Sequence, residues 1–168
     1  MAAPDLDIRV YDRAPRAARE IRLEAFTSLA DVRPEFDEWD ETGPAVHLLA
    51  FARPDAVDAE GAVGAVRADG DADAQPVATC RFYADCDHPD QTGRYVIARL
   101  AVTPRLQGRG IGGRLLTDAE SRIRAAGGRL AAVHADRGMF AYYERRGYER
   151  TAEMYDGGTH GWLVKPLG

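Results

Sequence analysis

The chain has 168 residues, 45% of them hydrophobic and 29% charged, with a formal net charge of −5. That length suits one domain, residues 1–168, large enough to bury a core, and the composition is ordinary for a globular protein. The acidic balance argues against a bulk nucleic-acid binder, and no apolar run approaches the roughly 20 residues of a membrane-spanning helix.

The N-terminal Met1-Ala2-Ala3-Pro4-Asp5 lacks the basic and apolar regions of a signal peptide, so a soluble, cytoplasmic protein is expected. Leu6, Ile8 and Val10 alternate with polar residues as in a short strand. Pro15 fits a first helical turn, and Ile21, Leu23, Phe26 and Leu29 follow at helical spacing until Pro34. Residues 35–40 are acidic, carry Phe36 and Trp39, and read as a short second helix before the Gly43-Pro44 turn. Residues 45–52 form an apolar strand. Residues 55–74, rich in Ala, Gly and Asp, read as a loop with a weak strand at 62–67. Strands are predicted at 77–84 and 94–103, joined by a hairpin turn over 85–93. Cys80 and Cys86 have no zinc-ligand spacing and are expected as reduced thiols; no metal site is predicted. A helix over about 110–126 places Leu115, Leu116, Ala119 and Ile123 on one face and ends at Gly127-Gly128. A strand at 130–135, a helix at 139–146 capped by Gly147, and a strand at 148–155 follow. Asp156-Gly157-Gly158 is a hairpin signal before a last strand at 162–164. Strands alternating with helices imply an α/β domain of the α+β type on a mixed sheet.

Gln107-Gly108-Arg109-Gly110-Ile111-Gly112-Gly113 sits where a strand passes into a helix. Helix-start amides lack intrahelical partners and carry the positive end of the dipole, and glycines let a bulky anion reach them. Arg99, Arg105, Arg109 and Arg114 fall within sixteen residues and add positive charge. The loop suits a phosphate or pyrophosphate. Gly113-Arg114-Leu115 is not the Gly-Lys-Ser/Thr end of a Walker A loop. Residues 108–113 match GxGxxG on paper, but no βαβ unit with a ribose-binding acid follows.

The whole string from Leu100-Ala101-Val102-Thr103-Pro104 through the loop to Leu115-Leu116 resembles the acetyl-CoA-binding motif of the GNAT superfamily. Tyr142-Tyr143-Glu144-Arg145-Arg146-Gly147-Tyr148 is similar to that family's second signature. Residues 21–26, 35–40, 46–50 and 157–160 further resemble its ElaA-like branch. The resemblance implies a mixed, largely antiparallel sheet flanked by about four helices. It also implies acetyl-CoA as co-substrate and an amine acceptor, and leaves monomer and homodimer open. It places the pantetheine arm on the main chain of Leu100, Ala101 and Val102, and the pyrophosphate on Gln107, Gly108, Arg109, Gly110, Ile111, Gly112 and Gly113. Asp136 stands where the family often has an Asn that contacts coenzyme A.

Acyl transfer to an amine needs a proton acceptor for the amine and a donor for the leaving thiolate. The resemblance points to Tyr143 as the acid, with Tyr142 in the family's apolar core slot. The strand before the loop, Tyr95-Val96-Ile97-Ala98-Arg99, offers no carboxylate base. His134, His160, Glu38 and Asp40 are the candidates, and a histidine titrates nearest working pH. Glu38 and its acidic neighbours suit a cationic acceptor; Arg22, Arg81 and Arg99 suit an anionic one, or pair with those acids. No cysteine lies in either motif, which favours direct N-acetyl transfer in a ternary complex over an acyl-cysteine. A non-catalytic acyl-CoA sensor of the same fold is the alternative.

Overall fold

A computed structural model describes residues 5–26, 36–53 and 74–168. Leu29, Pro34, Glu35 and the stretch 55–73, with the weak strand expected at 62–67, lie outside the described residues.

Among the described residues seven strands form one sheet: β1 (Leu6–Tyr11), β2 (Val46–Ala52), β3 (Gln75–Ala84), β4 (Arg94–Val102), β5 (Leu130–Asp136), β6 (Glu149–Tyr155) and β7 (His160–Pro166). Their order is β1-β2-β3-β4-β5-β7-β6. β4 and β5 pair in parallel, whereas β1–β2, β5–β7 and β6–β7 are antiparallel, which gives the mixed, largely antiparallel sheet expected. Three α-helices accompany it among the described residues: α1 (Arg16–Phe26), α2 (Ile111–Ala125) and α3 (Phe140–Glu144).

The chain divides into two compact units, residues 1–81 with 99–116 and residues 82–98 with 117–168. In the first, α1 does not bury the leucine its spacing suggested. Leu23 is 44% exposed, while Ala17, Ala18 and Ile21 pack with Leu49 and Phe51 of β2 and Ala101 of β4. Small alanines bring the helix close to the sheet, and Ala101 is thereby fixed from one side. The predicted second helix shrinks to a single 3₁₀ turn, Glu38–Asp40. The Asp37 carboxylate accepts from the Trp39 amide, and the Asp40 carboxylate accepts from the Asp37 amide. That reciprocal cap starts the turn, and Gly43, at φ 107, redirects the chain soon after it.

In the second unit the apolar periodicity reads through directly. Ala131, Ala132 and Val133 of β5 and Leu163 of β7 are buried to 1% or less. Both helix ends close as the glycines predicted. Gly128 N–H donates to the Ile123 carbonyl and Gly127 N–H to that of Arg124, with Gly127 at φ 86. Tyr148 N–H and Gly147 N–H repeat the pattern on Tyr143 and Glu144 at the end of α3. β7 begins two residues earlier than predicted, so His160 is a strand residue.

Candidate functional site

The glycine loop is built within the first unit. After β4, Pro104–Leu106 make a 3₁₀ turn and Gly108 and Gly110 take φ 77 and 79, the left-handed region that disfavours a Cβ. The chain then enters α2 at Ile111, which is 1% exposed and anchors the helix start. At the helix start the Arg114 N–H donates to the Gly110 carbonyl at 3.1 Å. α2 has no acidic residue in its first turn to neutralise the positive end of its dipole. A Cβ on Gly108 would meet nothing within 4 Å, so that glycine answers to backbone conformation and open space. Gln107 ties the loop to β4, its Nε2 donating to the Val102 carbonyl at 3.1 Å. Arg109 is half-buried; Arg105 and Arg114 are exposed, the latter 3.8 Å from Asp5.

Just before Leu100-Ala101-Val102, Arg99 has φ 57, a rare conformation for a non-glycine that costs about 1–2 kcal/mol. Parallel pairing of β4 with β5 runs from Arg94↔Leu130 to Ile97↔Val133, and Arg99 follows two residues later. The Arg99 guanidinium lies 3.5 Å from Asp37, at the edge of a buried ion network. Arg81 grips both Asp37 oxygens at 2.6 Å and reaches Asp40 at 3.2 Å, and Arg22 holds Asp40 at 2.5 and 3.1 Å. The Arg81 hydrogen bonds hold the Asp37 carboxyl down at about 2. Burial alone would raise Asp40, but its bonds to Arg22 and the Asp37 amide outweigh that and lower it. Burial lowers His47 as well, whose Nε2 donates to the Trp39 carbonyl at 3.0 Å. The pairing the sequence left open is thus present: these arginines and acids meet each other. Arg22 is 1% exposed and turned onto Asp40, so it acts as an internal cation; Arg99 is half-buried and Glu38 exposed.

In the second unit, Tyr143 is the more enclosed of the two α3 tyrosines, 8% exposed, with its ring against Tyr142 and Tyr148. Tyr142, assigned to the core slot, is half-buried beneath the Arg146 guanidinium at 3.7 Å, and burial raises its phenol. Behind α3, Tyr148 donates to Glu120 at 2.9 Å, and Lys165 donates to the other Glu120 oxygen at 2.7 Å. Asp136 is exposed, and its Oδ1 accepts from the Gly138 amide at 2.7 Å, capping the turn into α3.

Strand register explains why the two candidate histidines meet. His134 pairs with Trp162 and Asp136 with His160 across β5 and β7, while Tyr155 of β6 pairs with His160. Alternation then puts His134, His160 and Trp162 on one sheet face. Their rings cluster with Tyr155: His134 is 4.6 Å from Tyr155, 5.3 Å from Trp162 and 5.5 Å from His160. His88 joins the rim, bonded to Asp85 and Glu153, with its ring 5.9 Å from Trp162. Of the carboxylate alternatives as base, Glu38 is exposed and Asp40 is committed to two arginines. Sequence reading missed Tyr155, Trp162 and His88. The first two were recoverable, because a hairpin at 156–159 pairs 155 with 160 and leaves 162 on the same face. Among the described residues no group of three or more His, Cys, Asp and Glu could hold a metal ion, and no helix is long and apolar enough to cross a membrane.

The model of the acetyltransferase (GNAT) family matches residues 17–148. A provisionally assigned N-acetyltransferase from Lactobacillus plantarum shares the fold at TM-score 0.70 and 23% identity, over 97% of this chain and 99% of that one. Escherichia coli ElaA does so at TM-score 0.68 and 17% identity, over 96% and 99%. The PaiA N-acetyltransferase of Thermoplasma acidophilum, solved in complex with coenzyme A, follows at TM-score 0.61 and 14% identity, over 95% and 99%. No curated protein matches the chain.

Proposed function

This chain belongs to the acetyltransferase (GNAT) family, and we propose that it moves an acetyl group from acetyl-CoA to a primary amine of a small molecule or peptide, directly, in a ternary complex. The observation that carries this reading is the loop. Two left-handed glycines deliver the chain into a 15-residue helix whose first turn has no acid, reached through a 3₁₀ turn from the strand that ends in Leu100-Ala101-Val102. In this reading Gln107, Gly108, Arg109, Gly110, Ile111, Gly112 and Gly113 hold the pyrophosphate. The main chain of Leu100, Ala101 and Val102 takes the pantetheine arm, and one amide there faces the thioester oxygen as it gains charge. Asp136 stands in for the family's Asn at the cofactor.

The amine nitrogen attacks the thioester carbon while its proton passes to a base, and the carbon–sulfur bond breaks as the thiolate takes a proton. Tyr143 is the proton donor. His160, with 19% of its side chain exposed, is the base, and His134 is the neighbouring ring that shares its face. Glu38 and Arg99 are the acceptor-binding residues, and Arg22 supports them through Asp40.

Thermal shift tests the reading first. Coenzyme A and acetyl-CoA should stabilise the protein and NAD should not; failure of coenzyme A to do so refutes it. A panel of amines with acetyl-CoA, followed as free-thiol release, then identifies the acceptor.

A further inference from the structure

The hairpin between β6 and β7 is an unusual turn. Asp156, Gly157 and Gly158 all have positive φ, at 53, 68 and 86. Glycine adopts that conformation freely; an aspartate does so at a cost of about 1–2 kcal/mol. The turn brings two groups of Asp156 to the residues that follow. Its carbonyl lies 2.8 Å from Thr159 Oγ1, and its Oδ2 lies 3.5 Å from His160 Nδ1. Thr159 Oγ1 is also 2.9 Å from His160 Nδ1.

Proton bookkeeping over these contacts has one consistent solution. A hydroxyl has a single hydrogen, and a carbonyl oxygen can only accept. The Thr159 hydrogen therefore goes to the Asp156 carbonyl. The contact between Oγ1 and Nδ1 must then be made by a hydrogen on the ring, with Nδ1–H donating to Oγ1. The Asp156 carboxylate beside the same nitrogen favours that arrangement electrostatically. A neutral imidazole bears one N–H, so the lone pair sits on Nε2. The opposite tautomer would set two lone pairs against each other at 2.9 Å.

We propose that Thr159 and Asp156 are positioning residues that hold His160 as its Nδ1–H tautomer, making Nε2 the atom that accepts the amine proton in acyl transfer. The inference rests on the acyltransferase reading for its role and on geometry alone for its tautomer. As the nitrogen–carbon bond forms, the amine proton moves to Nε2, and the imidazolium keeps Nδ1–H on Thr159 with the Asp156 carboxylate nearby. The electron pair of the broken carbon–sulfur bond stays on sulfur, which takes its proton from Tyr143. The other titratable groups at this ring are His134, with centroids 5.5 Å apart, and Tyr155 and Asp136, its strand partners.

The test uses the full chain labelled with ¹⁵N. Long-range proton–nitrogen spectra of the imidazoles, assigned with His160→Gln, report the tautomer at a pH where the ring is neutral. Wild type should show His160 protonated at Nδ1. Thr159→Val should move it toward the Nε2–H form that unconstrained imidazoles favour, and Thr159→Ser should restore it. With acetyl-CoA and an accepted amine, His160→Gln should lower kcat about 100-fold or more, and Thr159→Val roughly 10-fold. The KM for acetyl-CoA should stay unchanged, and Thr159→Ser should recover the rate. A wild-type His160 carrying its proton on Nε2 overturns the inference, as does full turnover in His160→Gln. If coenzyme A fails to bind while Nδ1 is protonated, the acyltransferase reading falls and the tautomer assignment stands.

Discussion

Replacing Asp37 with asparagine keeps the shape of the side chain and removes the charge that Arg81 grips at 2.6 Å on both oxygens. In the folded protein the Asp37 carboxyl titrates at about 2, against 3.8 ordinarily. The difference corresponds to roughly 2.4 kcal/mol of folding free energy at neutral pH. Asp37 is 33% exposed, so solvent screening reduces that to about 1–2 kcal/mol. The sign follows from the lowered value. Stability from this group is fully present above the unfolded value near 4 and is lost as pH falls toward 2. Urea unfolding of wild type and Asp37→Asn at pH 7, 5, 4 and 3 measures it. The gap should be about 1–2 kcal/mol at pH 7 and 5, and should begin to close between pH 4 and 3. Asp7→Asn, which removes an exposed partner of Arg9, should cost under about 0.5 kcal/mol. A gap for Asp37→Asn that stays the same at every pH would show that hydrogen-bond geometry, not charge, is what Asp37 contributes.

Gly108→Ala places a Cβ in open space but at φ 77, so strain of about 1–2 kcal/mol is expected without a clash. Its Tm should fall by a few degrees, and the stabilisation by coenzyme A, read by thermal shift, should shrink; an unchanged coenzyme A response would remove Gly108 from the proposed cradle. Tyr143→Phe should lower kcat by about 100-fold while leaving the KM for acetyl-CoA alone, and unchanged turnover would end its assignment as proton donor. Tyr148→Phe deletes the buried donor to Glu120 and leaves that carboxylate with Lys165; a loss of about 1–3 kcal/mol in urea unfolding, with activity kept, is the expected result.

What could be read from the sequence was what neighbours along the chain decide. Leu115, Leu116, Ala119 and Ile123 recur at helical spacing, and all are buried to 1% or less. Gly127 and Gly147 mark helix ends because a left-handed residue is needed there, and both have it. The loop glycines read in the sequence as room for an anion; that Gly108 and Gly110 are also left-handed is what the folded backbone adds. α1 was harder, because its core face is carried by Ala17 and Ala18, which hydrophobicity ranks low, while Leu23 faces outward. The acidic stretch was legible only as a choice. Its composition suited a short helix, a cationic acceptor or pairing with Arg22, Arg81 and Arg99, and in the fold Arg81, far along the chain, draws Asp37 and Asp40 inward. Nothing within 35–40 announces that partner.

The same distinction separates the two halves of the proposed chemistry. The proposed cofactor loop is a continuous segment, and its Gly108 and Gly110 take left-handed angles. The proposed base depends on pairing between strands: one register aligns β5 with β7 and sets His134 beside His160, and another aligns β6 with β7 and adds Tyr155. A histidine's competence as a base depends further on which nitrogen holds its hydrogen, and that follows from a threonine hydroxyl already committed to a carbonyl. Asp156-Gly157-Gly158 read in the sequence as a turn and nothing more. In the folded chain its left-handed residues bring Asp156 and Thr159 to His160 together, which ties the turn to the proposed reaction as well as to the hairpin.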